Sequence, residues 1–119
     1  MEKTRIVVRK GQKSTALVRE AKDSSQRATY PIRREVTRIG RSPSNDIVIN
    51  DSTVSEYHAA IRFEDDGYYI YDFASTNGTR VNGLKVYRKR IVDGDLIQVG
   101  QSIFAVISKN ISLSFTTQG

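Results

Sequence analysis

Short apolar runs rich in Val, Ile, Tyr and Phe recur along the chain, and Gly, Asn, Asp and Ser interrupt them. Apolar and polar residues alternate within several of these runs, whereas the spacing of an amphipathic helix is almost absent. Short alternating runs separated by turn residues are typical of an all-β sandwich or barrel. We therefore predict an all-β domain with strands at 16–20, 27–32, 36–39, 47–49, 59–63, 68–72, 79–81, 96–99, 103–107 and 111–115.

Turn residues separate several of the predicted strands. The segment 64–67, Glu-Asp-Asp-Gly, predicts a turn between two neighbouring strands. Asn82-Gly83 predicts a hairpin, because both residues tolerate positive φ. Asp93-Gly94-Asp95 predicts a further turn.

The length of 119 residues suits one compact domain. We assign residues 14–108 to that domain. Residues 1–13 are interpreted as an N-terminal extension or linker, or alternatively as an extra edge strand. Residues 109–119 are expected to add a C-terminal strand, ending at Phe115, and then a fraying tail from Thr116.

Several function classes are disfavoured by composition. The chain has no cysteine, which excludes disulfides, thiolate metal sites and cysteine nucleophiles. No apolar run approaches the roughly 20 residues of a membrane span, and the first residues do not resemble a secretory signal. We expect a cytoplasmic protein, or a nuclear one if it is eukaryotic, in which this monomeric domain can be part of a larger chain.

The net charge of +6 is unevenly distributed. Residues 1–41 hold twelve Lys or Arg and four Asp or Glu, a balance of +8, whereas residues 42–119 hold seven and nine, a balance of −2. A basic first third can attract nucleic acid, membrane or acidic protein. Because these charges alternate with apolar residues, we interpret them chiefly as solvated strand faces. The basic run of Lys85, Arg88, Lys89 and Arg90 is likewise interpreted as a solvated loop.

Catalytic and metal-binding motifs are scarce. Ser55, the single histidine His58 and an acid such as Asp72 could form a triad on paper, but no Gly-x-Ser-x-Gly elbow accompanies them. One histidine without cysteines cannot supply a zinc site. No nucleotide-binding glycine motif is present. We therefore predict a protein that is not an enzyme and needs no metal or cofactor.

Hydrogen-bonding residues gather at the predicted strand ends. They are Gly40-Arg41-Ser42, the Ser-x-x-His segment 55–58, the Ser-Thr-Asn-Gly-Thr segment 75–79, and Asn82-Gly83. A sandwich clusters its loops at the ends of its strands. Together these groups offer a guanidinium, hydroxyls and side-chain amides, which suit binding of an anion and a peptide backbone rather than bond cleavage.

The same residues, in the same order, resemble the signature of the forkhead-associated (FHA) domain. The pattern Gly-Arg, Ser-x-x-His, Asp-x-x-Ser-Thr-Asn-Gly-Thr, Val-Asn-Gly and Gly-Asp extends over residues 40–100. The resemblance implies an FHA/SMAD-like β-sandwich of two twisted, mostly antiparallel sheets with about eleven strands. It also implies a protein-interaction module that binds phosphothreonine through loops at one end, as a reader of proteins phosphorylated by Ser/Thr kinases.

Carried over residue by residue, the resemblance assigns phosphate binding to Arg41, Ser55 and Thr76. Arg41 would be the main ligand, and Ser55 would offer its hydroxyl and also its backbone N–H. Asn77 and Asn82 would bind the peptide. Three further residues would have structural roles. His58 would join neighbouring loops, Gly40 would permit a close approach of the backbone, and Gly78 would permit a turn.

Glu56 departs from the family pattern, in which a basic or polar residue usually follows the serine. A carboxylate near a phosphate is repulsive, unless it pairs with Arg41 or Arg80. This departure leaves open a scaffold that binds proteins without phosphate. A nucleic-acid binder is a more remote alternative, because it would need stacking aromatic side chains or a continuous basic stripe.

Overall fold

The structure is a computed structural model that describes residues 4–7, 13–20, 27–33, 35–110 and 114–117. This part of the chain forms β-strands and no helix. Accordingly, it contains no helix that could span a membrane. The strands are β1 (Thr4–Val7), β2 (Lys13–Arg19), β3 (Thr29–Pro31), β4 (Val36–Gly40), β5 (Ile47–Val48), β6 (Ala59–Glu64), β7 (Gly67–Asp72), β8 (Thr79–Val81), β9 (Leu84–Val86), β10 (Arg88–Ile91), β11 (Leu96–Val99), β12 (Ser102–Asn110) and β13 (Ser114–Thr117).

Two sheets form the body of the domain. One has five strands in the order β10-β7-β6-β4-β5, and the other has six in the order β3-β2-β12-β11-β8-β9. Among the described strands, only the β4–β5 pairing is parallel. The predicted all-β sandwich, with eleven strands in two mostly antiparallel sheets, is confirmed.

The core lies between the two sheets. Aliphatic residues at alternate strand positions point inward, as in β6, where Ala59 and Ile61 are buried while Arg62 is exposed. One continuous apolar cluster joins both sheets. Its members are Leu17, Ile32, Ile39, Ile47, Ile49, Val54, Ala59, Ile61, Ile70, Val81, Ile91, Ile97, Val99, Phe104 and Val106.

The strand register brings three loops to one end of the sandwich. Ile39 in β4 pairs with Ala59 in β6, which in turn pairs with Asp72 in β7. The end of β4, the start of β6 and the end of β7 therefore lie side by side. The β4–β5, β5–β6 and β7–β8 loops, which carry most of the residues singled out in the sequence, all begin or end there.

Two predicted hairpin turns are confirmed. Val81 pairs with Leu84 across a two-residue turn, in which Asn82 and Gly83 have φ of 51° and 83°. Positive φ at both turn residues matches the right-handed twist of the flanking strands. The turn between β6 and β7 is equally short, because Glu64 pairs with Gly67.

The loop prediction for the basic run is wrong. Lys85 lies in β9, and Arg88, Lys89 and Arg90 lie in β10. Both are edge strands, so their exposed positions can be basic. The alternation of apolar and polar residues that marks a strand is absent from the sequence of β10, because Ile91 is the only buried residue of that strand.

The chain ends also pair with each other. Strand β1 runs antiparallel to β13, with Thr4 opposite Thr117 and Val7 opposite Ser114. Strand β1 lies within residues 1–13, for which an extension, a linker or an extra edge strand is expected, and it pairs with β13 in a two-stranded sheet separate from the two main sheets. Strand β13 continues past the expected end at Phe115. The predicted strand residues 111–113 and the tail residues 118–119 lie outside the described residues.

Candidate functional site

Arg41 lies directly after β4 and is held by two hydrogen bonds. Its backbone N–H donates to the Ser55 carbonyl at 3.0 Å, and its side-chain Nε donates to the Val54 carbonyl at 3.1 Å. The side chain is exposed and forms no ion pair with any described carboxylate. The Nε contact therefore fixes the base of the guanidinium and leaves its terminal nitrogens for an external anion.

Ser55 and Thr76 join the β5–β6 and β7–β8 loops. The Thr76 N–H donates to the Ser55 hydroxyl at 3.0 Å. The backbone N–H of Ser55 donates to Nδ1 of His58 at 3.0 Å, so it is already used inside the protein. The resemblance implies two hydrogen-bond donors from Ser55 to the phosphate, and only the hydroxyl remains available for that role.

His58 is completely buried, with 0% of its surface exposed. Because Nδ1 accepts from Ser55, the ring proton resides on Nε2, which donates to the Gly78 carbonyl at 2.9 Å. The backbone groups of His58 add bonds to Ile39 and Phe73. The buried His58 side chain thus connects the β5–β6 and β7–β8 loops, and both of its ring nitrogens are used in these hydrogen bonds.

This geometry does not form the serine–histidine–acid arrangement considered from the sequence. The imidazole contacts the Ser55 backbone rather than its hydroxyl, so it is not placed as a base for that hydroxyl. The Asp72 carboxylate is bound by other groups. Within the described ranges, no three metal-ligating side chains come together as a metal site.

Asp72 organises the β7–β8 loop. Its carboxylate accepts from the N–H and hydroxyl of Ser75 and from the Thr79 hydroxyl. Partial burial by itself raises the pKa of Asp72, but these hydrogen bonds outweigh it and hold the pKa below its usual range. The Ser75 hydroxyl also accepts from the Gly78 N–H at 2.9 Å, which closes the loop around Thr76 and Asn77.

Asn77 bridges the same two loops on the exposed side. Its side-chain NH₂ donates to the Thr53 carbonyl at 2.8 Å. Thr53 is held in turn by Asp51, whose carboxylate accepts from the N–H and hydroxyl of Thr53 and from the Gln101 N–H. Those hydrogen bonds, the ones from Thr53 first, lower the pKa of Asp51.

Gly40 and Asn45 fix the approach of the β4–β5 loop. A Cβ atom at Gly40 would collide with the Glu56 carbonyl and would lie 2.7 Å from Asn45 Nδ2. The buried Asn45 amide donates to the carbonyls of Ser42 and Glu56, at 2.9 and 2.8 Å. Only glycine therefore fits at position 40. Sequence reasoning missed Asn45, because an asparagine in a loop predicts a turn and does not reveal its burial.

The backbone conformation at Gly78 favours glycine. Its φ of 85° is a conformation that other residues rarely adopt. In addition, a Cβ atom there would lie 3.0 Å from Cε of Lys85, whose side chain crosses it.

Glu56 exposes its side chain while its backbone holds the loops. Its carbonyl accepts from the Ser42 N–H at 3.1 Å and from Asn45. Its carboxylate forms no ion pair with Arg41 or Arg80 in the described structure. The pairing considered from the sequence is therefore not present here.

Asn82 is separated from the other candidate residues. It follows the last residue of β8, whereas Asn77 precedes the first, so β8 lies between them. The Asn82 amide is engaged at both ends, donating to Asp95 and accepting from the Leu96 N–H. The structure thus brings together Arg41, Ser55, Thr76 and Asn77, and it places Asn82 in a turn-to-turn contact.

Arg80 lies in the middle of β8, with its side chain exposed. Its Nη1 donates to the Gly83 carbonyl at 3.3 Å. It is paired in register with Lys85 of β9.

Comparison with known proteins gives consistent results. The family model of the FHA domain matches residues 37–100, which is more than half of the chain. The glycogen accumulation regulator GarA of Mycobacterium tuberculosis is 39% identical over 66 residues, covering 56% of this chain and 41% of GarA. The chain thus matches less than half the length of that relative.

Solved structures show the same relationship. A structure from a study of phosphothreonine-dependent FHA domain interactions superposes with a TM-score of 0.75 at 32% identity, covering 82% of this chain and 99% of that one. Mycobacterium tuberculosis EmbR in complex with a low-affinity phosphopeptide gives a TM-score of 0.72 at 30% identity, covering 79% of this chain and 24% of EmbR. From the sequence match, the fold and the ordered loop residues, the chain belongs to the FHA domain family.

Proposed function

We propose that this domain binds phosphothreonine in partner proteins through the loops around Arg41. The observation that carries the proposal is the placement of Arg41: an exposed guanidinium, fixed through Nε to Val54, with no carboxylate partner in the described chain. A planar guanidinium matches phosphate oxygens in a bidentate manner. Arg41 is therefore proposed as the main phosphate ligand.

The Ser55 hydroxyl and Thr76 complete the proposed phosphate site. The hydrogen bond from Thr76 N–H fixes the Ser55 oxygen and leaves its hydroxyl proton for a phosphate oxygen. The Thr76 side chain is exposed beside it. Because His58, Asp72 and Ser75 hold both loops before a ligand arrives, less conformational freedom is lost on binding.

Asn77 is proposed to bind the backbone of the partner peptide. One N–H of its amide is used on Thr53, which orients the group. The second N–H and the carbonyl oxygen can pair with a peptide C=O and N–H. For Asn82 we propose a structural role instead, because both ends of its amide are already engaged.

The expected affinity is moderate. A phosphothreonine carries about −1.5 to −2 charges near neutral pH. Three or four charge-assisted hydrogen bonds contribute roughly 1.5–3 kcal/mol each, but ordering and desolvation offset much of this. We therefore propose micromolar binding, about −8 kcal/mol, and an output in which a Ser/Thr kinase controls protein assembly.

The family comparisons support this proposal. One similar solved structure comes from work on phosphothreonine-dependent FHA domain interactions, and another holds a phosphopeptide. The phosphothreonine-dependent interactions and the bound phosphopeptide are properties of those two proteins. They favour the same chemical class of partner here, without identifying the partner or the kinase.

A second candidate function is protein binding that does not depend on phosphate. Glu56 favours it, because its exposed carboxylate adds negative charge to the loop that carries Ser55. The two functions are separated by titrating the domain with one peptide in its phosphorylated and unphosphorylated forms. A phosphothreonine peptide library then defines the preferred sequence. Equal affinity for both forms would select the phosphate-independent scaffold.

A further inference from the structure

The outer face of the six-stranded sheet is apolar along β12. From Ile103 to Ile107 every residue of this strand is apolar, and Phe104 and Val106 belong to the core. Ile103, Ala105 and Ile107 therefore lie on the opposite, outer face, because side chains alternate along a strand. Ile103 is 38% exposed. A continuous apolar run is typical of a strand that is buried on both faces.

The neighbouring strands extend this outer surface. Ala105 pairs with Val18 of β2 on one side and with Leu96 of β11 on the other. Ala16 of β2 pairs with Ile107. Leu96 is 45% exposed, and the other four residues are partly exposed. We refer to the following six residues as the apolar face: Ala16, Val18, Leu96, Ile103, Ala105 and Ile107.

The outer face of the five-stranded sheet has a different character. It exposes four arginines, namely Arg38, Arg62, Arg88 and Arg90. An antiparallel sheet commonly packs one face on the core and presents a polar face to water. The five-stranded sheet follows that pattern, whereas the apolar face of the six-stranded sheet has the composition of a surface that another protein covers.

A row of paired residues crosses the apolar face from an acidic to a basic side chain. The Ile103 carbonyl accepts from the Glu20 N–H at 2.8 Å, and Ile103 pairs with Gln98 of β11. Gln98 pairs in turn with Arg80 of β8. Glu20 follows Val18 by two residues in the extended chain, so its side chain lies on the same outer face. The row thus begins with a carboxylate beside β2 and reaches a guanidinium on β8.

These two charges are not neutralised within the described ranges. Glu20 and Arg80 are both exposed, and neither forms an ion pair there. Arg80 Nη1 donates to the Gly83 carbonyl at 3.3 Å, which is long for a hydrogen bond. Negative charge therefore borders the apolar face on the β2 side, and positive charge borders it on the β8 side.

A second copy of the chain complements both the apolar face and its bordering charges. The sheet order β2-β12-β11-β8 is symmetric about a line between β12 and β11. A two-fold axis along that line packs two copies face to face, with the β2 side of each over the β8 side of the other. The apolar faces then cover each other, and Glu20 of each copy lies over Arg80 of the other. A two-fold axis across the strands would instead oppose like charges.

We propose that the apolar face is the interface of a symmetric homodimer, with reciprocal Glu20–Arg80 contacts at its margins. The proposal replaces the monomeric domain expected from the sequence. Because the axis is parallel to the strands, both Arg41 loops lie at the same end of the dimer. One consequence rests on the proposed function: two phosphothreonine sites at one end would bind a doubly phosphorylated or dimeric partner more tightly than either site alone.

Sedimentation equilibrium without any peptide tests the interface. The average mass of wild type should rise from the 13.4 kDa of one chain towards twice that value as its concentration increases. The variants are Glu20→Arg, Arg80→Glu, the double exchange Glu20→Arg/Arg80→Glu, and Ile103→Asp. The control is Arg62→Glu, a charge reversal on the outer face of the five-stranded sheet. Urea unfolding of each variant, at a concentration where wild type is monomeric, checks that it is folded.

Each single charge reversal should weaken dimerisation by about tenfold, because like charges then face each other twice in the symmetric interface. The double exchange should restore the dissociation constant to within about threefold of wild type. Ile103→Asp should abolish the dimer, since it buries a carboxylate among apolar residues, and Arg62→Glu should leave it unchanged. A wild type that stays monomeric at every concentration would overturn the proposal, as would a dimer that Glu20→Arg, Arg80→Glu and Ile103→Asp leave unaffected. Because the test contains no peptide, either result leaves the proposed phosphothreonine binding standing.

Discussion

His58 Nε2 donates to the Gly78 carbonyl at 2.9 Å, and this bond joins two loops of the proposed binding site beneath its surface. Nδ1 of the same ring accepts from the Ser55 N–H. One buried side chain therefore sets the separation of the loops that carry Ser55 and Asn77. It has no ring nitrogen left for a ligand.

We predict that His58→Ala lowers stability more than it lowers intrinsic affinity. The Ser55 N–H and the Gly78 carbonyl would lose their partner, at a cost of about 1–3 kcal/mol. Urea unfolding should show the loss, with Ser52→Ala, a substitution at an exposed loop position, as the control. Affinity is measured where the variant is still folded. An unchanged unfolding midpoint together with lost binding would show that His58 contacts the ligand.

Asp72 gives a pH prediction. Its pKa is lowered in the folded state, because hydrogen bonds from Ser75 and Thr79 outweigh its partial burial. A depressed pKa contributes stability that is present above the unfolded-state pKa of about 4 and is lost as pH falls through the folded-state value. Asp72→Asn should therefore be less stable than wild type at neutral pH, and the difference should shrink below about pH 4.

Urea midpoints across this pH range measure the difference. Asp65→Asn is the control, because Asp65 lies exposed in the β6–β7 turn, where its φ of 26° is one that asparagine tolerates. A stability difference between wild type and Asp72→Asn that stays constant with pH would contradict the account of this carboxylate.

Much of the fold could be predicted from the sequence, for a physical reason. Where a strand has one buried face, as in 36–39 or 59–63, β-branched and apolar residues alternate and mark it. Strands β9 and β10 are not predicted from the sequence, because they lie at sheet edges, where exposed positions accept Lys85, Arg88 and Arg90.

The candidate site likewise has residues that the sequence predicts and contacts that it does not predict. Arg41, Ser55, Thr76 and Asn77 were named from the ordered motif, and the structure brings them together. The buried amide of Asn45 and the three hydrogen bonds to Asp72 could not be predicted, since they depend on how separate loops approach each other. For the same reason, the sequence did not reveal that Asn82 contacts Asp95.

We predict a preference for phosphothreonine over phosphoserine in otherwise identical peptides. The family resemblance implies an apolar niche beside Thr76 for the extra methyl group. Burying one methyl contributes about 0.8 kcal/mol, or roughly fourfold in affinity. Calorimetry with both peptides measures the ratio, and Thr76→Ser should reduce it. Equal affinities in the wild-type domain would argue against the niche.

We predict that Glu56→Arg tightens phosphopeptide binding. Glu56 forms no ion pair with Arg41 or Arg80 in the described structure, so reversing its charge should not disturb either guanidinium. A partly screened charge reversal near phosphate is worth about 1 kcal/mol, or several-fold in affinity, and the gain should shrink as salt rises.

The control for that experiment is Glu35→Arg, which makes the same charge change at an exposed position before β4. Titrations of both variants at two salt concentrations decide the outcome. Unchanged or weaker binding by Glu56→Arg would contradict the hypothesis that the Glu56 carboxylate repels the bound phosphate. Phosphate dependence that appears only in Glu56→Arg would identify the wild-type domain as a phosphate-independent scaffold.

Titration of wild type and Arg41→Ala with one phosphothreonine peptide tests the central claim most directly. The side chain is exposed and its one internal hydrogen bond is to the Val54 carbonyl, so the variant should keep the fold. Arg62→Ala removes an exposed arginine elsewhere and serves as the control. We predict that Arg41→Ala loses detectable binding, while its unfolding midpoint and the control's affinity stay close to wild type. Binding by Arg41→Ala within about threefold of wild type, roughly 0.7 kcal/mol, would contradict phosphate recognition at this site.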